Sequence, residues 1–116
     1  MTSTRHLSSN DLETAVEILR AEQTLVFPTE TVYGLGADAR SATAVSRIFA
    51  VKARPADNPL IVHVATIEDA ECCVAFGAEE RMLFERFSPG PISLVAGSLG
   101  RVDPRVSAGL DTVAVR

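Results

Sequence analysis

A short basic loop is the part of this sequence whose residue types most directly suggest chemistry. Lys52 and Arg54 are followed closely by Pro55, Asn58 and Pro59. An ammonium group and a planar guanidinium both suit phosphate oxygens, and the prolines would stiffen the loop and lower the entropy cost of binding. The loop therefore favours an anion site, and its alternative interpretation is a solvated surface turn.

Hydroxyl groups gather in a second segment, residues 28–36, with the sequence PTETVYGLG. Thr31 and Tyr33 can orient a small polar ligand through hydrogen bonds, while Gly34 and Gly36 allow a close approach of the backbone. The segment follows an apolar run, and ligands of α/β folds favour loops at strand ends. We interpret it as a loop with a tight turn, which either binds a ligand or only reverses the chain.

Two further candidates lie in apolar runs that predict strands. Alternation places His63 on the same face as Ile61 and opposite Val62. Arg116 closes the run 112–115, where a guanidinium could clamp a carboxylate. The structural alternatives are a strand histidine that is satisfied by its neighbours and an arginine at the protein surface.

Several common catalytic signatures are absent from the sequence. It has no G-x-x-x-x-G-K-[ST] phosphate loop, no G-x-G-x-x-G, no nucleophile elbow and no His/Cys cluster for zinc. Cys72 and Cys73 are adjacent, which is a strained geometry for a disulfide and lacks metal-ligand spacing. We expect two unbridged thiols, and catalysis by positioning and charge rather than by a covalent nucleophile.

The elements that would position these residues alternate between helix and strand, which predicts an α/β layered fold. Asn10 and Asp11 are suitable caps for the first helix and Ser41 for the second. Leu12 and Val16 begin the apolar face of the first helix, and the first strand is short and apolar enough to be buried. Helices are predicted over residues 10–22, 41–51, 66–74 and 78–87, and strands over residues 24–27, 60–65, 92–96 and 112–116.

The composition is that of an ordinary globular protein. The 116 residues are 47% hydrophobic and 22% charged with a net charge of −4, whereas domains that grip nucleic acid by its phosphates usually carry a basic excess. No apolar run reaches the roughly 18 residues of a membrane span, and the polar N-terminus lacks a secretory segment, so we expect a cytoplasmic protein. We predict a lead-in over residues 1–9 and one domain over residues 10–116, incomplete at its C-terminal side because the sequence stops within a β-rich run.

Four segments in order, FPTETVYGLG, KARPADNPLIVH, SPGPISLV and AGLDTVAVR, resemble the YrdC/Sua-type L-threonylcarbamoyladenylate synthase family. The resemblance covers Leu25 to Arg116 and implies a twisted, mixed parallel and antiparallel sheet with flanking helices around a positively lined cavity. It implies a nucleotidyltransferase that forms threonylcarbamoyl-AMP and pyrophosphate from L-threonine, bicarbonate and ATP, with Mg²⁺ accompanying the ATP. The product would pass to the downstream threonylcarbamoyl transferase machinery that modifies tRNA, with no membrane involved.

The resemblance also assigns roles to individual residues. It places L-threonine at Thr31, Tyr33, His63 and Arg116, and ATP at Lys52, Arg54, Asn58 and Thr112, with Lys52 and Arg54 as the catalytic pair. Fixed cations would offset the repulsion among three anionic reactants. The family's Ser-x-Asn motif, which follows the VAVR strand, is not in this sequence, so we expect the isolated chain to be poorly active.

Two other functions fit the same resemblance. One is a double-stranded RNA or tRNA-binding module without catalysis, against which the net acidity counts. The other is the carbamoyl-transfer domain of a hydrogenase-maturation enzyme, which the lack of acylphosphatase-like or zinc-finger sequence before residue 10 disfavours.

Overall fold

A computed structural model describes residues 4–29, 32–53, 55 and 57–116. Over these ranges, helices and strands alternate in much the order that the sequence predicts. The helices are α1 (Leu12–Arg20), α2 (Ala42–Lys52), α3 (Ile67–Cys73) and α4 (Ala78–Phe87). The strands are β1 (Leu25–Pro28), β2 (Tyr33–Gly36), β3 (Ile61–Val62), β4 (Val74–Ala75), β5 (Leu94–Ser98) and β6 (Thr112–Val115). None of the helices within these ranges is long and apolar enough to cross a membrane.

The strands form two separate sheets in the described ranges. Strands β1 and β2 pair antiparallel as a two-stranded sheet, and the larger sheet has the order β3-β6-β5-β4. Within the larger sheet β3 and β6 are parallel, while β5 is antiparallel to both β6 and β4. The prediction of a mixed parallel and antiparallel sheet with flanking helices is confirmed.

The hydrophobic core covers one face of the larger sheet. Val113 and Val115 of β6 are buried, while the alternating Thr112 and Ala114 are only half-buried. Helices α2, α3 and α4 add buried side chains to the valine face. The core cluster consists of Val45, Val62, Ala70, Val74, Phe84, Ala96, Val106, Val113 and Val115. The opposite face is therefore the more open one, and it carries the even-numbered residues of β6.

Two of the predicted helix starts are confirmed by side-chain caps. Ser41 Oγ accepts a hydrogen bond from the Ala44 N–H at 3.1 Å, and Thr66 Oγ1 accepts one from the Asp69 N–H at 3.1 Å. Asp11 occupies the capping position of α1 but makes no side-chain cap. Its carboxylate instead accepts a hydrogen bond from the Ser8 N–H at 2.8 Å. That expectation is wrong because the Asp11 backbone, with φ −101° and ψ 31°, is not in the extended conformation typical of a capping residue.

The prediction of a loop through residues 33–36 is also wrong. These residues form β2, which pairs with β1 along its whole length. The glycines serve packing here rather than chain reversal, because a Cβ on Gly36 would lie 2.5 Å from Cε1 of Phe27. Strand β1 is not buried as predicted: Val26 is 63% exposed, because a two-stranded sheet covers only one side of its strands.

The spacing of apolar residues predicted which face of a helix is apolar, but it did not predict whether that face is buried. Leu12 and Val16 of α1 are exposed, and none of the residues of this helix is buried. In α4 the single buried side chain is Phe84, while Phe87 on the same helix is 51% exposed. The two phenylalanines therefore form a matched pair for testing where the core lies.

We expect Phe84→Ala to lower the free energy of unfolding by about 3–5 kcal/mol, because it removes a large core side chain and leaves a cavity. Phe87→Ala should cost only about 1 kcal/mol, since much of that ring is already in water. Urea unfolding of the two variants measures the difference. Equal losses would show that the core does not centre on Phe84.

Candidate functional site

The pairing of β3 with β6 sets Arg116 beside His63. The Arg116 N–H donates to the Val62 carbonyl oxygen at 2.9 Å, and the Val64 N–H donates to the Arg116 carbonyl oxygen at 3.0 Å. These bonds extend the parallel ladder by one residue beyond the pair Val62 and Val115. Paired residues of neighbouring strands share a face, so the His63 and Arg116 side chains lie next to each other, on the face opposite the core.

Strand β5, the antiparallel neighbour of β6, places Ser93 on the other side of Arg116. His63, Arg116 and Ser93 therefore form a row across the three strands. Leu94 pairs with Val115 in the β5–β6 ladder, so the register brings Ser93 opposite Arg116. Arg116 Nε donates a hydrogen bond to Ser93 Oγ at 3.0 Å. The guanidinium is therefore held from the β5 side while its backbone is held from the β3 side.

An aromatic contact links this row to the two-stranded sheet. The rings of Phe27 and His63 meet edge to face, with centroids 6.0 Å apart and an interplanar angle of 82°. This is a favoured geometry for aromatic pairs. Because Gly36 has no Cβ to displace the Phe27 ring, the glycine indirectly helps to fix where His63 lies.

Two cavities open beside the row. The larger, of about 930 Å³, lies between the two sheets and is lined by Lys52 and His63 among others. The smaller, of about 410 Å³, is lined by His63, Arg116 and residues from the start of α3, the end of α4 and the 88–90 turn. Both volumes suit small ligands. His63 borders both cavities, so its imidazole is accessible from either one.

Three of the residues predicted from the sequence thus come together around the cavities. Lys52 is exposed at the end of α2 and lines the larger cavity, His63 borders both, and Arg116 lines the smaller one. A guanidinium held beside an imidazole can bind a carboxylate, and an ammonium group on the wall of the larger cavity can bind a phosphate.

The other predicted residues lie elsewhere or outside the described ranges. Tyr33 in β2 is 75% exposed and lines neither cavity. Asn58 is exposed in its loop, where its N–H donates to the Pro55 carbonyl oxygen at 3.1 Å. Thr112 shares a face with Arg116 but lies four residues away at the start of β6. Thr31 and Arg54 lie outside the described residues, so the roles given to these five stay predictions.

The sequence did not predict a second group of charged residues that lines the larger cavity. Arg40 donates to the Asp38 carboxylate through Nε at 3.1 Å and through Nη2 at 3.3 Å. This hydrogen-bonded pair holds the pKa of Asp38 below its ordinary value of 3.8. Arg101 and Cys73 line the same cavity. The D-x-R spacing was the available signal, but only the fold brings it to a cavity wall.

The two cysteines behave as the sequence predicts, since both are free thiols. Cys72 is exposed and Cys73 is half-buried. Burial is the main cause that raises the pKa of the Cys73 thiol, and the neighbouring Cys72 and Asp69 raise it further. The Cys73 thiol therefore stays protonated at neutral pH and is a poor nucleophile.

Comparison with known proteins identifies the family and supports the fold. A family model described as "Telomere recombination", which represents the Sua5, YciO and YrdC proteins, matches residues 17–116. The chain belongs to this Sua5/YciO/YrdC family. It is 45% identical over 97% of its length to a threonylcarbamoyl-AMP synthase of Bacillus subtilis, and 50% identical over 88% to one of Pyrococcus abyssi. It spans 34% and 30% of those relatives, about a third of their length.

Solved structures of family members agree with the fold. Pyrococcus abyssi Sua5 in complex with L-threonine superposes with a TM-score of 0.88 and 46% identity, over 97% of this chain and 33% of that one. Escherichia coli YciO superposes with a TM-score of 0.81 over 96% of this chain and 54% of that one. The YciO match is only 20% identical and shows the fold alone.

The Asp38–Arg40 pair gives a prediction about pH. Arg40→Gln should raise the pKa of Asp38 toward 3.8, because it removes the guanidinium bonds that favour the carboxylate. Since the folded pKa is the lowered one, the pair stabilises the fold above the ordinary carboxyl pKa, and this contribution is lost as the pH falls through the folded value.

Carboxyl ¹³C titration by NMR measures the Asp38 midpoint in each variant. Arg47→Gln is the matched control, because Arg47 is also exposed and lies nearby in sequence on α2, but it has no part in the pair. An Asp38 midpoint that is the same in wild type and Arg40→Gln would contradict the assignment.

Proposed function

We propose that this chain is the part of a threonylcarbamoyl-AMP synthase that binds L-threonine and contacts ATP. One observation carries the proposal. The sheet register sets Arg116 beside His63 on a cavity wall, in a chain 46% identical to a Sua5 solved in complex with L-threonine. The reaction would join L-threonine, bicarbonate and ATP into threonylcarbamoyl-AMP, with release of pyrophosphate and water.

The guanidinium of Arg116 would bind the threonine carboxylate. Charge-assisted bonds between a guanidinium and a carboxylate are among the strongest hydrogen bonds in proteins. The backbone bonds of Arg116 to β3 and its Nε bond to Ser93 limit how far the group can move. His63 would then contact the rest of the amino acid, together with Thr31 and Tyr33 as the family resemblance implies.

Lys52 would act on the phosphate side of the reaction, with Arg54, Asn58 and Thr112. The threonine nitrogen first forms a bond to the carbon of bicarbonate, with loss of water, to give a carbamate. A carbamate oxygen then attacks the α-phosphorus of ATP, and the bond from that phosphorus to the pyrophosphate oxygen breaks. Carbamate and triphosphate are both anions, so fixed cations lower the barrier by offsetting their repulsion.

Magnesium would enter with ATP rather than occupy a site built by the protein. Within the described part of the chain, no group of three or more His, Cys, Asp or Glu side chains could hold a metal ion. Mg²⁺ usually keeps several waters and binds through substrate phosphates with one or two carboxylates. The larger cavity offers Asp69 as such a carboxylate, so the residues present fit an ion that ATP carries. When bound, it would neutralise charge on the phosphates.

The product would serve tRNA modification through a separate threonylcarbamoyl transferase. We propose the cytoplasm as the compartment, since ATP, tRNA and free thiols all belong there. We further propose that residues 10–116 need the remainder of a longer chain for full activity. The two sheets that line the larger cavity share no strand pairing in the described ranges, and the matched relatives are about three times as long.

Pyrophosphate release from ATP tests the proposed reaction. It should depend on both L-threonine and bicarbonate in a longer chain in which the rest of the Bacillus subtilis relative follows Arg116. The 116-residue chain should release far less, because an open cavity does not exclude water or complete the charge environment of the reaction. Pyrophosphate release that ignores L-threonine, or none from the longer chain, would contradict the proposal.

Arg116→Lys separates the carboxylate clamp from the rest of the site. In the longer chain it should raise the KM for L-threonine by roughly tenfold or more and leave the KM for ATP nearly unchanged, because lysine keeps the charge but loses the planar fork. Steady-state kinetics on both substrates measures this. Arg86→Lys on α4 is the control, since Arg86 is exposed and lines neither cavity. Equal changes for both substrates would contradict the assignment of Arg116.

A further inference from the structure

We infer that Ser93 is a positioning residue, whose hydroxyl holds the Arg116 guanidinium in the orientation that receives the substrate carboxylate. The inference rests on the proposed function for the identity of that substrate. Ser93 lies directly before β5 and is half-buried. Nothing in its local sequence marks it as a partner of a residue 23 positions away.

The sheet register makes this contact specific. Leu94 pairs with Val115 and Val95 with Ala114, so the next pair outward is Ser93 with Arg116. Directly opposed residues on one face of an antiparallel pair have Cβ atoms about 4.5–5.5 Å apart. This separation is short enough for the serine hydroxyl to reach Nε, and the observed distance from Arg116 Nε to Ser93 Oγ is 3.0 Å.

The hydrogen bond acts on the part of Arg116 that the backbone does not control. Parallel bonds to Val62 and Val64 fix the Arg116 main chain, but an arginine side chain still has several rotatable bonds and much rotamer entropy. Ordering such a side chain on binding costs affinity. A bond to Nε in the unliganded protein fixes the guanidinium plane in advance, so less ordering remains when the carboxylate arrives.

Ser93 would act through Arg116 and not by touching the ligand. It lines neither the larger nor the smaller cavity, whereas Arg116 lines the smaller one. Loss of its hydroxyl should therefore weaken L-threonine binding selectively. A purely structural role would instead weaken L-threonine and ATP alike, through a general loss of stability.

The test compares Ser93→Ala, Ser93→Thr and the control Ser46→Ala in the full 116-residue chain. Ser46 on α2 also uses its hydroxyl in a hydrogen bond, to the Thr43 carbonyl oxygen at 2.8 Å, and it lines neither cavity. Calorimetry measures affinity for L-threonine and for ATP. NMR with ¹⁵N-arginine measures hydrogen exchange at the Arg116 Nε–H. This signal is identified as the one that is missing from the spectrum of Arg116→Lys.

We expect Ser93→Ala to weaken L-threonine binding by up to about tenfold, as the cost of ordering one long side chain on binding predicts, with ATP affinity unchanged. Exchange at the Arg116 Nε–H should become faster. Ser93→Thr keeps the hydroxyl and should restore both properties, and Ser46→Ala should change neither. Wild-type L-threonine affinity in Ser93→Ala, or equal weakening for both ligands, would overturn the inference.

The same experiment separates this inference from the proposed function. If the wild-type chain binds ATP but no L-threonine, the proposed substrate is wrong for this chain. The rate of hydrogen exchange at the Arg116 Nε–H then decides the role of Ser93. Faster exchange in Ser93→Ala and not in Ser46→Ala would still support positioning. Unchanged exchange would overturn it.

Discussion

The parallel pairing of β3 with β6 is the constraint on which the candidate site depends. The ladder that buries Val62 and Val115 in the core continues by one residue and sets His63 beside Arg116 on the opposite face. Because side chains alternate between the faces of a sheet, a register slip of one residue would exchange the core and site positions. Packing of the valines and geometry of the site are therefore fixed by the same hydrogen bonds.

Contacts from more distant parts of the chain then refine this row. Phe27 of the two-stranded sheet meets His63 edge to face, and Ser93 holds Arg116 from the side of β5. Each contact restrains one of the two polar side chains from a different direction. A pre-ordered site loses less entropy on binding, which matters when several anionic reactants must meet at once.

Local signals were enough to predict much of this arrangement. The helix starts at Ser41 and Thr66 depend on neighbouring residues only. The alternation that places His63 with Ile61 follows from strand geometry, and both are exposed while Val62 is buried. Family membership followed from four motifs in order, and the match over residues 17–116 confirms it.

Other features depend on residues far apart in the chain and could not be predicted. The glycines of β2 resemble a turn until Phe27 is known to pack across Gly36. The partnership of Ser93 with Arg116 needs the strand register. In α1, apolar spacing indicates a face, but it does not say whether another element covers Leu12, which is 70% exposed.

A crystal structure of the protein with bound L-threonine would show whether Arg116 receives the substrate carboxylate. We expect the threonine carboxylate within about 3 Å of the Arg116 guanidinium, with His63 in contact with the same molecule and Arg116 Nε still bonded to Ser93. L-Threonine bound instead in the larger cavity, beside Arg40 and Arg101, would contradict this assignment.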